Sequence, residues 1–375
     1  MRILNLLHSR NFAGTEQMVL TLAHALEKTG KCEVFTAVKN KGILRQKYKD
    51  AGLRVLDIPT NGFFAKKRLA AWTRENKIDL IHTHLTGAAR TGLWLHEKTG
   101  IPLVVHLHLT KNSPAYRKAA HAGTLIAISA HVARFYEKTA GIAPEKILHI
   151  PNATPVLESQ TAARPRKECA AQIRREFQLP ENARIFTLTG RVSPEKGHET
   201  LLRAMPAILA KHPGTHTLII GNLQQKPAYA RKLKKITQNL SLQKNIHFTG
   251  FRENILHYVR AADAQLVLSE NEPFGLVLIE AMALGTPIIA TNTGAIPEIL
   301  ENNTLGTLIP YGDATALSTA LIKILENNTP FEEKAEHAKK RAQTLYSPET
   351  LAQNTLQLYE KLVLENCRKS NAAHS

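Results

Sequence analysis

Two carboxylates, Glu272 and Glu280, bracket the apolar run PFGLVLI inside the stretch SENEPFGLVLIEAMALGTP at 269–287. Were the whole stretch one helix, a spacing of eight would turn the second acid about 80° around the axis and raise it about 12 Å. Such a pair cannot share a proton. Pro273 and Gly275 predict instead a loop that turns into a helix near Phe274, with Glu272 ahead of it and Glu280 in its second turn. Both carboxylates can then face one ligand lying across the helix N-terminus. The ordinary alternative is a solvated Glu272 and a partly exposed Glu280.

Other residues with chemical potential follow strand-like runs. In TGRVSPEKGHETLLRAM (189–205), Gly190 suits a tight turn, and Arg191 and Lys196 precede a helix. An arginine fork and a lysine point charge beside a helix N-terminus make a diphosphate site, or else two solvated loop cations. HSRNFAGTEQMVLTLAHAL (8–26) places Gly14 before a helix beginning near Thr15 or Glu16. Free N–H groups there favour an anion or a ligand oxygen, although an ordinary strand-to-helix turn reads the same way. Histidines come in two i, i+2 pairs, His82 with His84 and His106 with His108, each pair on one face of its strand. That spacing admits a metal site, but no acid or cysteine lies nearby in sequence to complete one, and buried structural histidines are the alternative. His108, last in its strand, is the best placed to meet a ligand.

The elements that must hold these residues alternate in type. RILNLL, CEVFTAV, LRVLDIP, DLIHTH, PLVVHLH, TLIAIS and ILHIP read as strands in the first half, and RIFTLTG, HTLIIG, IHFTG, AQLVLS and TPIIAT in the second, with helical patterns between them. Alternation of this kind predicts an α/β chain of parallel sheets covered by helices. TPVLESQTAARPRKEC, rich in Pro, Ser, Thr and charge, reads as a linker, and Pro348 to Asn366 as an amphipathic helix. The organisation expected is two tandem Rossmann-like domains, 1–160 and 161–347, then a C-terminal helix, 348–375, packing back toward the first domain. Ligands of such sheets bind at the carboxyl ends of strands.

At 375 residues the chain is too long for one ordinary core. Three separated cysteines, Cys32, Cys169 and Cys367, suggest neither a disulfide framework nor a zinc site and fit a reducing cytosol. The first apolar run, Ile3 to Leu7, is too short for a secretory signal, and no later run reaches bilayer length. Net charge is +18, and residues 1–160 hold 23 Lys/Arg against 11 Asp/Glu. The first half therefore prefers an anionic partner. With no finger-like Cys/His spacing and no RNP-like aromatic strand, nucleic acid is not expected. An anionic membrane face or an acidic substrate fits instead.

Seven motifs in order, AGTE (13–16), VVHLH (104–108), IPNA (150–153), GRVSPEKG (190–197), IHFTGF (246–251), EPFGLVLIEAMALGTPIIAT (272–291) and GAIPEI (294–299), span nearly the whole chain. In these it resembles the retaining nucleotide-sugar glycosyltransferases of family 4, of GT-B fold; the E-x7-E block is the specific part. The resemblance implies an active site in the cleft between the two domains. It implies that Glu272 holds hydroxyls of the donor sugar, Glu280 the ribose, and Arg191 and Lys196 the diphosphate beside Gly190. It places His108 near the donor sugar, Gly14 near phosphate or acceptor, and backbone N–H groups of Phe274, Gly275 and Leu276 on sugar and phosphate. Two departures stand out: Ala13-Gly14 where the family often has two glycines, and Asn152-Ala153-Thr154 where it often has N-G-x-D, so Asn152 is left out of the site.

The reaction implied is transfer of a hexose or N-acetylhexosamine from a nucleotide-sugar, UDP-linked before GDP-linked, to a hydroxyl of a glycan or lipid-linked glycan. Retention without a close nucleophile–acid pair points to a front-face route. No cofactor is expected, the nucleotide-sugar being a substrate, and no metal, since no D-x-D occurs. The alternatives are a nucleotide-sugar epimerase of the same fold and a non-catalytic basic binding protein. A cytoplasmic location is expected, with peripheral attachment to the inner face of the membrane in cell-envelope or lipopolysaccharide assembly. The segment NGFFAKKRLAAW, Asn61 to Trp72, has the composition of an interfacial helix for such a surface, or of an ordinary helix packing Leu69 and Trp72 inward.

Overall fold

The structure, a computed structural model, describes residues 1–9, 12–38, 43–58, 60 and 62–372. The chain divides into two compact units, Met1–Ala153 with Leu345–Ser375, and Thr154–Thr344. The first unit thus ends before the expected residue 160 and takes the C-terminal helix as its own. Both units are parallel α/β sheets of Rossmann type, as the alternating pattern predicts.

The sheet of the first unit holds β1 (Arg2–Leu7), β2 (Glu33–Val38), β3 (Arg54–Val55), β4 (Leu80–His84), β5 (Leu103–Leu107), β6 (Thr124–Ala127) and β7 (Ile147–His149). Their order is β3-β2-β1-β4-β5-β6-β7, and every pair is parallel. Helices cover both faces, so the inner strands are buried along their length; all five residues of β5 are buried, His106 among them. The helix Pro348–Ala372 supplies Leu351, Leu356 and Tyr359 to the same core as Ile3, Leu7, Met18 and Leu22. Each fully buried leucine there is worth about 1.5–3 kcal/mol. The amphipathic stripe read at 348–366 is the cause of this docking.

The second sheet holds β8 (Arg184–Thr189), β9 (Thr215–Ile220), β10 (Ile246–Gly250), β11 (Ala264–Val267), β12 (Ile288–Thr291) and β13 (Thr307–Ile309), in the order β10-β9-β8-β11-β12-β13, again all parallel. Its core gathers Phe186, Leu188, Leu201, Ile219, Leu266 and Ile289. β13 was not expected: three residues are too few to show a period. The stretch 154–169, expected as a linker, is a short 3₁₀ turn at Pro155–Glu158, a helical turn at Gln160–Ala163, and the start of the helix Arg166–Glu176. Cys169 and Ile173 of that helix are fully buried, and two residues with so much Pro and charge upstream give no visible stripe.

Asn61, the first residue of the proposed surface segment, lies outside the described residues. The helix Phe63–Glu75 divides the segment's apolar side chains between two destinations. Leu69 is fully buried and Trp72 packs edge-on to Phe35, ring centroids 5.3 Å apart. Phe63 and Phe64 point outward, 61% and 80% exposed, with the Lys67 ammonium 4.5 Å from the Phe63 ring centre. Among the described residues, no helix is long and apolar enough to cross a membrane.

Candidate active site

In both sheets the strand order reverses beside the first strand, so the loops after β8 and β11 open onto one crevice in the second unit. Gly190, Arg191 and Lys196 follow β8; Ser269 and Glu272 follow β11. The two loops are pinned together by backbone: Glu270 N–H donates to the Glu195 carbonyl at 2.8 Å. Gly197, in the left-handed region at φ 70°, allows that approach, because a Cβ there would lie 2.3 Å from the Leu268 carbonyl oxygen.

Lys196 and Glu272, 76 residues apart, meet at 2.6 Å, with most of each side chain withdrawn from solvent. Ser269 completes the group: Lys196 Nζ donates to its Oγ at 3.2 Å, and that hydroxyl donates to Glu272 Oε2 at 2.9 Å. The Ser269 carbonyl is itself fixed by the hydroxyls of Thr291, at 2.6 Å, and Thr293, at 2.7 Å. The Glu272 backbone is held from the other side, where Ala295 N–H donates to its carbonyl at 2.8 Å. Gly294, at φ 61°, passes so close that a Cβ would sit 2.3 Å from that same oxygen. Ser269, Thr291, Thr293 and Gly294 are members of the site that sequence reasoning missed. Ser269, Thr291 and Gly294 lay at the edges of the quoted motifs without being assigned a role, and Thr293 lay outside them.

The helix after Glu272 runs Leu276–Leu284 with Gly275 as its N-cap and Phe274 buried just before it. Glu280 lies in its second turn. The helix is apolar on every side, which belongs to a buried helix. Its one charge is therefore anomalous: Glu280 is half-buried, has no hydrogen-bonding or ionic partner among the described residues, and burial raises its carboxyl to about 7. The N–H groups of Leu276 and Val277 begin the helix ahead of the first that donate to the Gly275 carbonyl, those of Leu278 and Ile279, and suit an anionic or hydroxylic ligand. Arg191 is exposed, its guanidinium 3.6 Å from Glu195, and Gly190 N–H donates to the Ile220 carbonyl at 2.9 Å. Two cations, one ion-paired acid, one acid without a partner among the described residues and a helix start thus converge on the carboxyl edge of one sheet. That set can bind a polar ligand carrying an anionic centre.

The remaining candidates belong to the first unit. Gly14 is the exposed first residue of the helix Gly14–Lys28, where Glu16 reaches back to accept from Ala13 N–H at 2.9 Å. His108 is buried directly after β5, its Nε2 3.1 Å from His84 Nδ1. Burial pushes the His108 imidazole down to about 3, so it is neutral at physiological pH. The register pairs His84 with His106, and the two i, i+2 pairs form one stack of four buried rings. Sequence spacing gave each pair; only the strand pairing joins them.

The sequence pattern of the glycosyl transferases group 1 matches residues 170–345, and that of Glycosyltransferase Family 4 matches residues 12–156. The chain is 25% identical over 369 residues to a phosphatidyl-myo-inositol mannosyltransferase of Mycobacterium leprae, covering 92% of each. Among solved structures, a glycosyltransferase from Rickettsia africae superposes with a TM-score of 0.87 at 21% identity, over 97% of this chain and 99% of that one. Anabaena HepE in complex with UDP superposes with a TM-score of 0.85 at 22% identity, over 96% and 100%. These likenesses confirm the two-unit GT-B fold. With the two patterns matched in series, one on each unit, the chain belongs to the family 4, group 1 glycosyltransferases.

Proposed function

We propose that this glycosyltransferase moves a hexose or N-acetylhexosamine from a nucleotide-sugar, UDP-linked in preference to GDP-linked, to a hydroxyl of a glycan or lipid-linked glycan, with retention at the anomeric carbon. The observation that carries the reading is the Lys196–Glu272 pair beside Arg191 at the crevice of the second sheet. The UDP complex of Anabaena HepE supports the choice of nucleotide. In this reading the diphosphate takes Lys196 and Arg191, the sugar hydroxyls take Glu272, and the ribose takes Glu280. Gly190, Gly275 and the N–H groups of Phe274 and Leu276 line the phosphate and sugar; from the first unit, His108 meets the donor sugar and Gly14 the phosphate or acceptor.

The bond from the anomeric carbon to the diphosphate oxygen breaks, and the acceptor oxygen bonds that carbon on the same face. The acceptor proton passes to the departing diphosphate, so no carboxylate nucleophile is required. Charge grows on the leaving oxygens, and fixed cations stabilise it most when it is largest. Arg191 and Lys196 do here what a divalent ion does elsewhere, so activity is expected to persist in chelator. The test is incubation with UDP-glucose, UDP-N-acetylglucosamine and GDP-mannose, each with and without glycan acceptors, followed by NMR. Acceptor-dependent product with the donor's anomeric configuration supports the proposal; an inverted product sinks retention, and epimerised donor without acceptor makes the chain an epimerase.

The acceptor side is read from charge. The basic first unit and the exposed Phe63, Phe64, Lys67 and Arg68 support an acceptor at the cytoplasmic face of an anionic membrane, in cell-envelope or lipopolysaccharide assembly. Each cation near such a surface is worth about 1 kcal/mol, which gives reversible attachment. Sedimentation with phosphatidylglycerol vesicles is expected to pellet the protein at low salt and release it at high salt. A Lys66/Lys67/Arg68 triple-serine variant should stay largely in the supernatant. Equal pelleting of the two proteins at low salt removes this segment as the anchor.

A further inference from the structure

The four-histidine stack of the first unit is more than the catalytic reading of His108 needs. His82, His84 and His106 each present one ring nitrogen, and the three lie within 4.8 Å of one another, all fully buried. Two come from β4 and one from the adjacent β5, so the backbone register, not side-chain flexibility, brings them together. The polar atoms of this pocket are poorly served. His82 Nε2, both nitrogens of His106, and Asn5 Nδ2 are buried without any hydrogen-bond partner. Buried polar atoms in a native fold are nearly always satisfied, and a cluster that is not asks for a bound ion or water.

From this geometry we propose that His82, His84 and His106 form a binding site for a divalent transition-metal ion of the zinc and cobalt class. Two neighbours stand where outer-sphere partners of metal-bound imidazoles stand. Asn5 Oδ1 lies 3.3 Å from His84 Nε2 and can only accept, so that nitrogen carries the proton, and an ion takes the Nδ1 lone pair in place of its 3.1 Å contact with His108 Nε2. The Tyr359 hydroxyl lies 2.6 Å from His82 Nδ1, leaving Nε2 for the ion when Nδ1 holds the proton. An all-imidazole donor set selects zinc, cobalt, nickel or copper ions over magnesium and calcium, which want oxygen. Bonds of about 2.0–2.1 Å place tetrahedral ligand nitrogens roughly 3.4 Å apart, a distance small ring rotations reach. Neutral imidazole is the form that ligates. The ion is structural, not a participant in transfer: through His82 and Tyr359 it ties the C-terminal helix Pro348–Ala372 to the sheet.

The test uses the full chain, produced in cobalt-supplemented medium and, separately, chelator-treated and exposed to Co²⁺ or Zn²⁺. Expected are about one ion per chain after gel filtration, by plasma mass spectrometry, the intense visible absorption of four-coordinate cobalt, and a higher melting temperature with metal. His106→Asn should lose the bound ion and its absorption, and Tyr359→Phe, which keeps the packing, should weaken retention by about 10-fold or more. Tyr359→Phe also decides the matter if His106→Asn does not fold. Cobalt uptake by wild type no greater than by either variant, or the weak spectrum of six-coordinate surface cobalt, overturns the proposal. So does a melting temperature that metal leaves unmoved.

Discussion

Both sheets reverse their strand order beside the first strand, β1 against β4 in one and β8 against β11 in the other, and both set polar side chains near that corner. The second unit pairs the charges of its site: Lys196 and Glu272 meet at 2.6 Å under Ser269, whereas Glu280 has no partner among the described residues. The first unit stacks imidazoles against one another, with Asn5 and Tyr359 as their only hydrogen-bonding neighbours from other elements among the described residues. An ion pair partly open to solvent can exchange its partner for a ligand; a dry stack of neutral rings cannot, without gaining a charge. The same topology therefore provides a site poised for an anionic substrate in one unit and a nest of neutral imidazole donors, suited to a metal cation and not to an anion, in the other.

The largest effect is expected where pairing is broken. Lys196→Ala removes the cation that faces the developing charge and leaves the Glu272 carboxylate largely buried and unpaired. Turnover should fall by about 10²–10³. Steady-state rates with saturating donor measure it, with circular dichroism to show an intact fold. If Lys196→Ala keeps near-normal turnover, the pair is a structural strut and the assignment of the diphosphate to it fails.

Acid tests the other half of the comparison. Burial holds His82 and His108 at about 3, and His84 and His106 well below their ordinary value, whereas the unfolded chain binds protons near pH 6.5. The unfolded state therefore holds more protons as the pH drops under 6.5. Stability is fully present above that value and is lost toward pH 3, by up to about 1.4 kcal/mol per pH unit for each imidazole. Both tryptophans, Trp72 and Trp94, lie in the first unit, so their fluorescence follows that unit alone. In chelator, its urea midpoint should drop steeply from pH 7.5 to 5.5 at unchanged slope. A midpoint that does not move over that range would show the rings already charged or hydrated.

How far these features could be read from sequence depends on whether they are local. Periodicity revealed twelve of the thirteen strands among the described residues, and the loops after β1, β5, β8 and β11 carried their polar residues in contiguous motifs. Missing were contacts made across the chain. Glu272 finds Lys196 across 76 residues, and Tyr359 finds His82 across 277. No window of sequence contains either pair. The helices at 160–176 failed for a different reason: Pro and charge at their start mask a stripe of only three buried residues, Cys169, Ala170 and Ile173.

Glu280 sharpens the contrast, because its carboxyl has no pairing partner among the described residues. Its carboxyl sits near 7 through burial, so lowering the pH neutralises it well before an ordinary glutamate. A ribose diol donates to the ionised form. Affinity for free UDP, by calorimetry, should therefore weaken from pH 8 to pH 6 in the wild type. Glu280→Gln should bind about 10-fold more weakly at pH 8, the scale of one charge-assisted hydrogen bond, and lose most of the pH dependence. The same pH dependence in wild type and variant would place the titrating group elsewhere.

The smallest effect separates charge from positioning within the paired site. Ser269 Oγ accepts from Lys196 Nζ at 3.2 Å and donates to Glu272 Oε2 at 2.9 Å, but the two charges already touch at 2.6 Å without it. Its carbonyl, held by Thr291 and Thr293, survives substitution by alanine, so the loop after β11 keeps its course. Ser269→Ala removes only neutral hydroxyl contacts, worth about 0.5–1.5 kcal/mol, and turnover should fall a few-fold, to roughly 10-fold at most. The loss should appear in turnover more than in the Michaelis constant for donor, since the hydroxyl fixes where the ammonium points and not how much charge is present. A loss as large as that of Lys196→Ala would mean that the serine's hold on the ammonium, and not the bare charge, does most of the work at the departing diphosphate. In that case Lys196→Arg, which preserves charge but not geometry, should be equally poor.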